Sequence, residues 1–487
     1  MILYINLFSE YYLSCFFFLF LLVIIFLNLS KENNYPNYYN SLCYLVILTL
    51  FNSIVIDIWN RIDYNISYDL FKNSADICVK YFIIIFTIIF IIYSNFYVNK
   101  MKFNEFEYLI LILFIIMSFN FFILVTDVIS FYLLLEIQSF GLYLLTAMNK
   151  KNQYSIESGL KYFVLSSFSS IILLFGFSFL YGITGTLNIG EYNYFFSNIT
   201  WSDSGLILFT FNILLITLAF FFKLYVAPFH VWVSDIYQGA PTMSTAFFAT
   251  ITTFPLFYFF LKYYLVFFSI IENYLYYFIF SAVVLSMLIG SVTALYQKKI
   301  KRLIAFSSVG NIGYILVGFL QENPILLSNA ITYLIIYIIS TISIFVVFLN
   351  LHIKKFNFFL ERLSMLSGFL VKNRLLTVIL ILFFFTAAGI PPFSLFYAKI
   401  LLLTGLSYQL YSILLFIMVF TSILSSFYYL RIIKIMSFEK NTTYLFISPI
   451  KYINLVLIFF LCFINFFMFL YSEYITLISD YIVLSLY

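Results

Sequence analysis

Long apolar runs, separated by short polar segments, dominate this chain of 487 residues. A transmembrane helix needs about 20 consecutive, mostly apolar residues. Fourteen such windows occur, near 12–29, 41–58, 79–98, 106–125, 127–147, 161–183, 205–233, 242–267, 275–296, 303–320, 326–351, 375–403, 409–430 and 454–472. The runs are continuous and do not alternate, which argues against membrane-spanning strands. The pattern therefore predicts an all-α polytopic membrane protein of about 14 transmembrane helices, here numbered as spans 1 to 14.

The composition indicates that lipid is the solvent for most of the chain. Hydrophobic residues make up 64% and charged residues 9%, whereas soluble domains contain roughly 45–50% and about 25%. A soluble globule with so few charges would expose large apolar patches and aggregate. The chain also contains 67 Phe and 43 Tyr. Because their codons are AT-rich, this excess favours an AT-rich genome such as that of an organelle.

The sequence offers little support for a cofactor or metal site. The two histidines, His230 and His352, lie far from any cysteine, and no glycine-rich nucleotide motif occurs. The four cysteines are scattered, with no CxxC spacing: Cys15, Cys43, Cys78 and Cys462. This pattern does not predict an iron–sulfur cluster, a haem or a zinc ion. The net charge of +5 is too small to indicate nucleic acid as a partner.

Lysine and arginine are distributed unevenly between the two sides of the predicted membrane. Loops after odd-numbered spans, with their flanks, contain nineteen of the 25 basic residues. Loops after even-numbered spans, with their flanks, contain three, namely Arg61, Lys72 and Lys80. Since basic loops stay on the matrix or cytoplasmic side, both chain termini are expected on the opposite side. One missed span would scramble this alternation, so the charge distribution supports the number of spans.

Ionisable side chains inside the spans are candidates for function, because each costs roughly 2.5–3.5 kcal/mol near the bilayer centre. Those singled out here are Glu136 in span 5, Lys223 in span 7, Lys262 in span 8 and Lys399 in span 12. Glu136 is about ten residues into its span, hence roughly 15 Å from either end of the helix. A buried lysine can hold or release a proton as a carboxylate moves nearer or farther. Glu136 facing Lys223 would form such a pair, and a static salt bridge is the structural alternative.

Two spans are too long for one straight helix and contain prolines. Span 7 contains Pro228 and His230, and span 12 contains Pro391 and Pro392. A proline removes an amide donor and clashes with the carbonyl four residues before it, so both helices are predicted to break, the first at about residues 224–230. Broken helices free backbone carbonyls and admit water, as at the ion sites of transporters. His230 is therefore a candidate proton carrier, with a packing role as the alternative.

The two breaks occupy corresponding positions. They lie five spans apart, and both contain the dipeptide Pro-Phe, at 228–229 and at 392–393. Paired interrupted helices of this kind point to an internal repeat in a transporter. Because five is an odd number, the two copies would be inverted with respect to the membrane.

The most distinctive motif surrounds the first break. Residues 222–242, FKLYVAPFHVWVSDIYQGAPT, resemble the signature FKxxxxPFHxWxPDxYxGAPT of the NADH dehydrogenase subunit 2 family, which are antiporter-like membrane subunits of respiratory complex I. Other segments are similar to the same family: 157–163 (ESGLKYF), 181–187 (YGITGTL), 300–318, 389–399 (GIPPFSLFYAK) and 428–432. The resemblance covers roughly residues 130–435.

The resemblance implies a specific architecture. The family has fourteen helices with two inverted five-helix repeats, formed by helices 4–8 and 9–13, and its helices 7 and 12 are broken. Four segments are therefore expected here: 1–105 with spans 1–3, 106–267 with the first repeat, 275–433 with the second repeat, and 434–487 with span 14.

The resemblance also implies a proton path. In the family, the glutamate of helix 5 and the lysines of helices 7, 8 and 12 form a hydrated mid-membrane axis. Glu136, Lys223 and Lys399 match, whereas Thr253 occupies the helix-8 lysine position and Asn311 that of a frequent helix-10 histidine. Lys262 would lie on the opposite face, about 13 Å further along the helix. The residues expected to support the relay are Thr253, Lys262, Asn311, Pro228, Pro391 and Pro392, with water and the nearby Thr250 and Thr252.

Three functions remain open. The chain could be a proton-conducting subunit that couples NADH:ubiquinone oxidoreduction in complex I to proton translocation, a free-standing cation/proton antiporter, or a structural subunit with a degenerate proton path. The first is favoured because organelles retain genes for complex I subunits. It implies other membrane-arm subunits, including antiporter-like ones, and lipids as partners, and no nucleic acid. It also implies the mitochondrial inner membrane, with basic loops in the matrix and both termini towards the intermembrane space, while NADH, FMN, iron–sulfur clusters and ubiquinone bind other subunits.

Overall fold

The computed structural model describes residues 8–29, 36–63, 74–101, 105–192, 203–353, 358–359, 361–407, 412–439 and 452–486. Almost all of these residues are helical. The helices are α1 Phe8–Leu29, α2 Pro36–Asp63, α3 Ser74–Met101, α4 Glu105–Leu124, α5 Val128–Thr146, α6 Gln153–Thr184, α7 Asp203–Lys223, α8 Val231–Gly239, α9 Thr242–Thr250, α10 Thr253–Tyr296, α11 Ile300–Leu316, α12 Pro324–Asn350, α13 Phe369–Lys372, α14 Arg374–Ala388, α15 Ser394–Ser407, α16 Ser412–Ser437, α17 Tyr452–Leu470 and α18 Glu473–Leu484. After α12, two-residue strands β1 (His352–Ile353) and β2 (Phe358–Phe359) pair antiparallel.

Eleven helical segments of the described chain are long and apolar enough to cross a membrane, by length and composition. They coincide with predicted spans 2–6, 8–11, 13 and 14. The other three predicted spans match shorter apolar helices: Phe8–Val23 for span 1, Ile207–Lys223 for the first half of span 7, and Arg374–Ala388 with Ser394–Ser407 for span 12. The predicted all-α membrane fold is therefore confirmed, and spans 7 and 12 are divided because their helices break.

Span 8 is interrupted as well. Ile251 and Thr252 separate α9 from α10. The cause is Pro255, which has no amide to donate to the carbonyl of Ile251 and whose ring clashes with that group. The amides of Ile251 and Thr252 instead both donate to Phe247 O, at 3.0 and 3.4 Å. This irregular turn lies in the middle of span 8.

The predicted boundary between spans 8 and 9 is not a helix end. The helix α10 runs for 44 residues from Thr253 to Tyr296, through the interval 268–274 that the apolar windows leave out. The sequence between Pro255 and Gly290 contains no glycine and no proline. Because these residues are the strongest helix breakers, nothing in the local sequence ends the helix, and the two spans lie at its two ends.

Two spans form the core of the bundle. The span 8 segment Thr242–Phe267 and the α12 segment Pro324–Asn350 have their most apolar windows 100% buried, and α12 contains no charged residue. α12 contacts α3, α9, α14, α15, α17 and α18. By contrast, the corresponding windows of α16 and α17 are only 33% and 22% buried. Their remaining apolar surface faces outward, where lipid or another subunit would lie.

Lys80 joins the first three helices. It stands at the start of predicted span 3, where it is counted with the flank of a loop, but it lies well within α3, and its side chain is 2% exposed. Its Nζ forms ion pairs with Glu10 of α1 at 2.5 Å and with Asp57 of α2 at 2.6 Å, and it donates to Ser9 Oγ at 2.7 Å. Charges persist inside a membrane bundle when they pair with one another. Here the pairing ties α1 and α2 to α3.

We expect Lys80→Met to destabilise the packing of these three helices. Removing one partner of a buried ion pair leaves an uncompensated charge and costs about 3–5 kcal/mol. The measurement is the apparent melting temperature of the purified membrane protein. Lys161→Met is the matched control, because Lys161 pairs with Glu157 at the surface, where its side chain is 47% exposed. Equal melting temperatures for the two variants would contradict the structural role of Lys80.

Candidate functional site

The first helix break places Lys223 at the end of a half-helix. α7 ends at Lys223, and α8 begins only after residues 224–230. Pro228 lacks an amide donor, so one carbonyl of the preceding turn loses its helical partner. Tyr225 has a left-handed φ of 47°, which non-glycine residues adopt only rarely. The carbonyl end of a helix carries partial negative charge and favours a cation, so this position suits a lysine.

A small polar cavity, which we call the first cavity, lies beside Lys223. Its volume is about 20 Å³, and a buried water molecule needs roughly 10–15 Å³. Besides Lys223, its polar lining residues are Gln138, Ser139, Tyr162, Tyr225, Trp232, Tyr237 and Thr252. The first cavity therefore has both the space and the hydrogen-bonding groups to hold a water molecule next to the amine.

Glu136 lies close to this cavity on α5. Its Oε2 is 3.5 Å from Ser139 Oγ, and its Oε1 is buried without a hydrogen-bond partner. Glu136 interacts electrostatically with Lys223, but none of the ion pairs in the described part of the chain joins the two. A proton that passes between them needs an intermediate group. Ser139 lines the first cavity and contacts Glu136, so it is placed to provide one.

His230 lies at the other end of the first break, immediately before α8. It is 8% exposed, and its Nδ1 has no hydrogen-bond partner. Its ring lies edge-on to Phe306 of α11, with 6.2 Å between the ring centroids. His230 is not among the residues that line the first cavity. The structure therefore places this histidine at the contact with α11 and outside the lining of the first cavity.

Three threonines occupy the middle of span 8. Thr250, Thr252 and Thr253 are buried, and each donates its hydroxyl to a backbone carbonyl three or four residues earlier. Thr252 lines the first cavity, whereas Thr253 does not. The threonine of span 8 that shares the first cavity with Lys223 is therefore Thr252. The family pattern instead indicates the next residue, Thr253.

Lys262 belongs to a separate cluster. Its Nζ pairs with Asp76 of α3 at 2.5 Å and donates to Ile123 O of α4 at 2.8 Å. Tyr258, one turn earlier on α10, donates its hydroxyl to the same Asp76 carboxylate at 2.6 Å. These contacts direct Lys262 towards α3 and α4. The structure thus does not bring Lys262 together with the relay residues with which the sequence analysis groups it.

The second break has a different construction. Residues 389–393 separate α14 from α15. Gly389 has a left-handed φ of 72°, which glycine adopts without steric cost, and the exposed Pro391 and Pro392 follow. Lys399 of α15 folds back over this turn: a Cβ atom added to Gly389 would lie 2.9 Å from Lys399 Nζ. Glycine therefore suits the backbone angle here and leaves room for the lysine side chain in its observed position.

Lys399 is held by uncharged groups. It is 6% exposed, and none of the ion pairs among the described residues includes it. Its Nζ donates to Ala388 O at 3.1 Å and to Ser425 Oγ of α16 at 3.3 Å. The amine also lies 5.4 Å from the ring centroid of Tyr314 on α11. Such a cation–π contact contributes about 2 kcal/mol when the cation is desolvated.

A second cavity, of about 10 Å³, lies next to this break. Asn311 lines it and accepts a hydrogen bond from Tyr333 at 2.8 Å. The other polar lining residues are Ser307, Tyr337, Ser340, Thr341 and Tyr429. Ala387 and Leu395, on the two sides of the second break, close the cavity. Asn311 therefore lines a small cavity that reaches the break which carries Lys399.

Several residues of the site are absent from the set that the sequence predicts. Ser139 lies one helical turn from Glu136, so its spacing was a usable signal. Tyr314 and Ser425 contact Lys399 from α11 and α16, and no local pattern marks them. The candidate site thus consists of two polar groups, one around Lys223 and one around Lys399.

The division of the chain into two inverted repeats stays a prediction.

We expect Gly389→Ala to displace the Lys399 side chain. The new methyl carbon would lie 2.9 Å from Nζ and 3.1 Å from Cε, and the left-handed backbone adds strain of about 1–2 kcal/mol. We would measure the apparent melting temperature and, by mass spectrometry, the labelling of Lys399 with an amine-reactive reagent.

Gly185→Ala is the matched control for this variant. Gly185 also has a left-handed φ, of 70°, but no atom lies within 4 Å of its added Cβ. It shares the backbone strain and lacks the contact with a lysine. Identical melting temperatures and identical Lys399 labelling in the two variants would refute the proposed steric role of Gly389.

Comparisons with known proteins give the chain a family. The family model described as NADH:quinone oxidoreductase/Mrp antiporter, transmembrane, matches residues 125–425. NADH-ubiquinone oxidoreductase chain 2 of Marchantia polymorpha is 32% identical over 483 residues, which cover 94% of this chain and 93% of that protein. NADH-quinone oxidoreductase subunit N of Wolbachia sp. subsp. Brugia malayi is 37% identical over 332 residues, which cover 68% of this chain and 70% of that protein.

Solved structures share the fold. A chain of respiratory complex I from Thermus thermophilus superposes with a TM-score of 0.75 at 20% identity, covering 96% of this chain and 98% of that chain. A chain of the Mrp complex from Dietzia sp. DQ12-45-1b superposes with a TM-score of 0.77 at 19% identity, covering 99% and 97%. At these identities the likeness establishes the fold alone, while the matches in sequence establish the family. The chain therefore belongs to the NADH:quinone oxidoreductase/Mrp antiporter family of membrane proteins, and the relatives that it matches along most of its length are chain 2 and subunit N of NADH dehydrogenase.

Proposed function

We propose that this chain is a proton-translocating membrane-arm subunit of respiratory complex I. In this role, NADH:ubiquinone oxidoreduction elsewhere in the complex drives proton transfer through Glu136, Lys223 and Lys399. One observation carries the proposal: each of the two lysines lies at a helix break, and the first has a carboxylate and a polar cavity beside it. The names of the relatives support the assignment to complex I.

Glu136 and Lys223 would work as a coupled pair. A carboxylate within electrostatic range stabilises the ammonium form of the lysine, and burial favours the neutral amine. Protonation of Glu136 removes the stabilising charge, so Lys223 then releases its proton to the first cavity. Ser139 and Thr252 supply hydroxyl groups at that cavity. A change of charge at one residue thus changes the proton occupancy of the other, as a pump requires.

Lys399 would work without a fixed counter-ion. Its partners are a backbone carbonyl, a serine hydroxyl and the face of Tyr314. These groups stabilise the cation only partly against its burial. A proton can therefore bind to Lys399 and leave it again without breaking an ion pair.

The proposal also assigns location, partners and cofactors. The location is the mitochondrial inner membrane, and the uneven distribution of basic residues supports an orientation with basic loops in the matrix and both termini towards the intermembrane space. Other membrane-arm subunits, including antiporter-like ones, and lipids would cover the outward faces of α16 and α17. The chain would bind no redox cofactor, and NADH, FMN, the iron–sulfur clusters and ubiquinone would bind other subunits.

A free-standing cation/proton antiporter is the second candidate, because the fold also matches a chain of an Mrp complex. Co-purification of this chain with NADH:ubiquinone reductase activity would exclude it. A structural subunit without proton transfer is the third candidate, because Thr253 and Asn311 replace ionisable residues of the family pattern.

We expect Glu136→Gln and Lys399→Ala each to lower the number of protons pumped per electron while the complex still assembles. Glutamine keeps the size of Glu136 and removes its charge, and alanine removes the amine of Lys399. The measurement is proton uptake by proteoliposomes that contain the purified complex, relative to NADH oxidation.

Lys161→Gln is the control, because Lys161 lies on the surface and pairs with Glu157. It should leave the proton-to-electron ratio unchanged. A normal ratio in both Glu136→Gln and Lys399→Ala would favour the structural subunit over the pump.

A further inference from the structure

The two halves of the candidate site are separated. Lys223 lines the first cavity, whereas Lys399 lies at the second break, beside the second cavity. Thr253 carries no charge, and Lys262 is engaged with Asp76. A proton that moves from one half to the other must therefore use groups that the family pattern does not name.

Buried tyrosines line both cavities. Tyr225 and Tyr237 line the first cavity, and Tyr337 lines the second. Their exposed fractions are 4%, 1% and 2%. Tyr225 and Tyr237 each lie within electrostatic range of Tyr337. Phenol groups from α8 and the first break thus lie near a phenol group of α12.

Ser308 of α11 lies among these tyrosines. It is 1% exposed, and the hydroxyl groups of both Tyr225 and Tyr337 approach it. Its own hydroxyl donates to Ala305 O at 2.7 Å. The oxygen of Ser308 therefore remains available as an acceptor, at a point between the two cavities.

The hydroxyl oxygens of Tyr225, Tyr237 and Tyr337 are buried, and their approaches to one another and to Ser308 fall short of hydrogen-bond geometry. An unpaired buried hydroxyl costs about 1–3 kcal/mol, and native proteins contain few such groups. All three residues border a cavity, where a water molecule could satisfy the hydroxyl. Groups that can gain and lose hydrogen bonds in this way are suited to pass a proton onward.

We propose that Tyr225, Tyr237, Ser308 and Tyr337, here called the tyrosine bridge, carry protons between the first and the second cavity. The inference rests on the proposed function and identifies the groups that act in place of the helix-8 lysine. A proton binds to one hydroxyl oxygen while the original proton of that hydroxyl moves to the next oxygen or to a water molecule. One O–H bond forms for each that breaks, so no phenolate remains.

The far end of the bridge leads to Lys399. The second cavity reaches Ala387, and the carbonyl of the adjacent Ala388 accepts a hydrogen bond from Lys399. Tyr429 also lines this cavity, and its ring lies 4.5 Å from that of Tyr428, measured between centroids. A proton delivered to the second cavity is therefore close to the amine that is to receive it.

The test uses the complete complex in proteoliposomes, with the double variant Tyr237→Phe/Tyr337→Phe. Phenylalanine keeps both rings and removes only the hydroxyl oxygens. We expect the number of protons pumped per electron to fall to the value measured for Lys399→Ala, with assembly unchanged. Ser308→Ala interrupts the same path from another helix, and the same fall is expected.

Tyr93→Phe is the matched control. Tyr93 lies on α3, is 0% exposed and also has an unpartnered hydroxyl, but it lines neither cavity. An unchanged ratio in this variant and a lowered ratio in the double variant support the bridge. Recovery of the ratio when Thr253→Lys is added to the double variant would support it further.

Two results would overturn the bridge. One is a normal number of protons pumped per electron in the double variant, together with a lowered number in Lys399→Ala. This result would leave the proposed function intact. The other is an equal fall in Tyr93→Phe, which would reveal a general effect of lost buried hydroxyls. A normal ratio in Lys399→Ala as well would count against the proposed function itself.

Discussion

Lipid offers no hydrogen bonds, so every backbone polar group and every charge within a span needs a partner inside the protein. This constraint explains where the chain departs from regular helix. At the first break, Trp232 Nε1 donates to Phe222 O at 3.2 Å, and at the second, Lys399 donates to Ala388 O. The prolines that open the helices thus create polar groups in the bundle. The lysines and polar side chains of the candidate site lie where those groups are found.

The same constraint separates two kinds of buried charge. Lys80 and Lys262 form direct ion pairs with carboxylates at 2.5–2.6 Å, and these pairs hold α1–α3 and α10 together. Lys223 and Lys399 have no direct ion pair among the described residues. Their partners are a more distant carboxylate, hydroxyl groups, a carbonyl and an aromatic face. A fully paired charge stabilises a fixed arrangement, whereas a loosely paired amine can change its protonation state.

Family membership and residue chemistry contribute differently to the functional argument. The shared fold extends to both complex I and Mrp chains, so the fold alone does not choose between them. The sequence matches to chain 2 and subunit N relatives favour complex I. Where this chain departs from the family pattern, at Thr253 and Asn311, only the side chains around the two cavities indicate how a proton could still pass.

The apolar windows alone determined the class of fold, and the prolines near Lys223 and Lys399 located both breaks, because lipid and proline act through local sequence. Hydropathy could not show that α10 continues through 268–274. Apolar windows record where the chain is apolar, and they do not record whether a glycine or proline ends the helix between two windows. Sequence likewise counted Lys80 with the flank of a loop and grouped Lys262 with the relay. Their carboxylate partners come from other helices, and only the packed bundle could reveal them. Tertiary structure alone also decided which residues surround Lys399, namely Tyr314 and Ser425. It likewise decided that Tyr225 and Tyr237 lie near Tyr337. In each case the residues are distant along the chain, so no local pattern connects them.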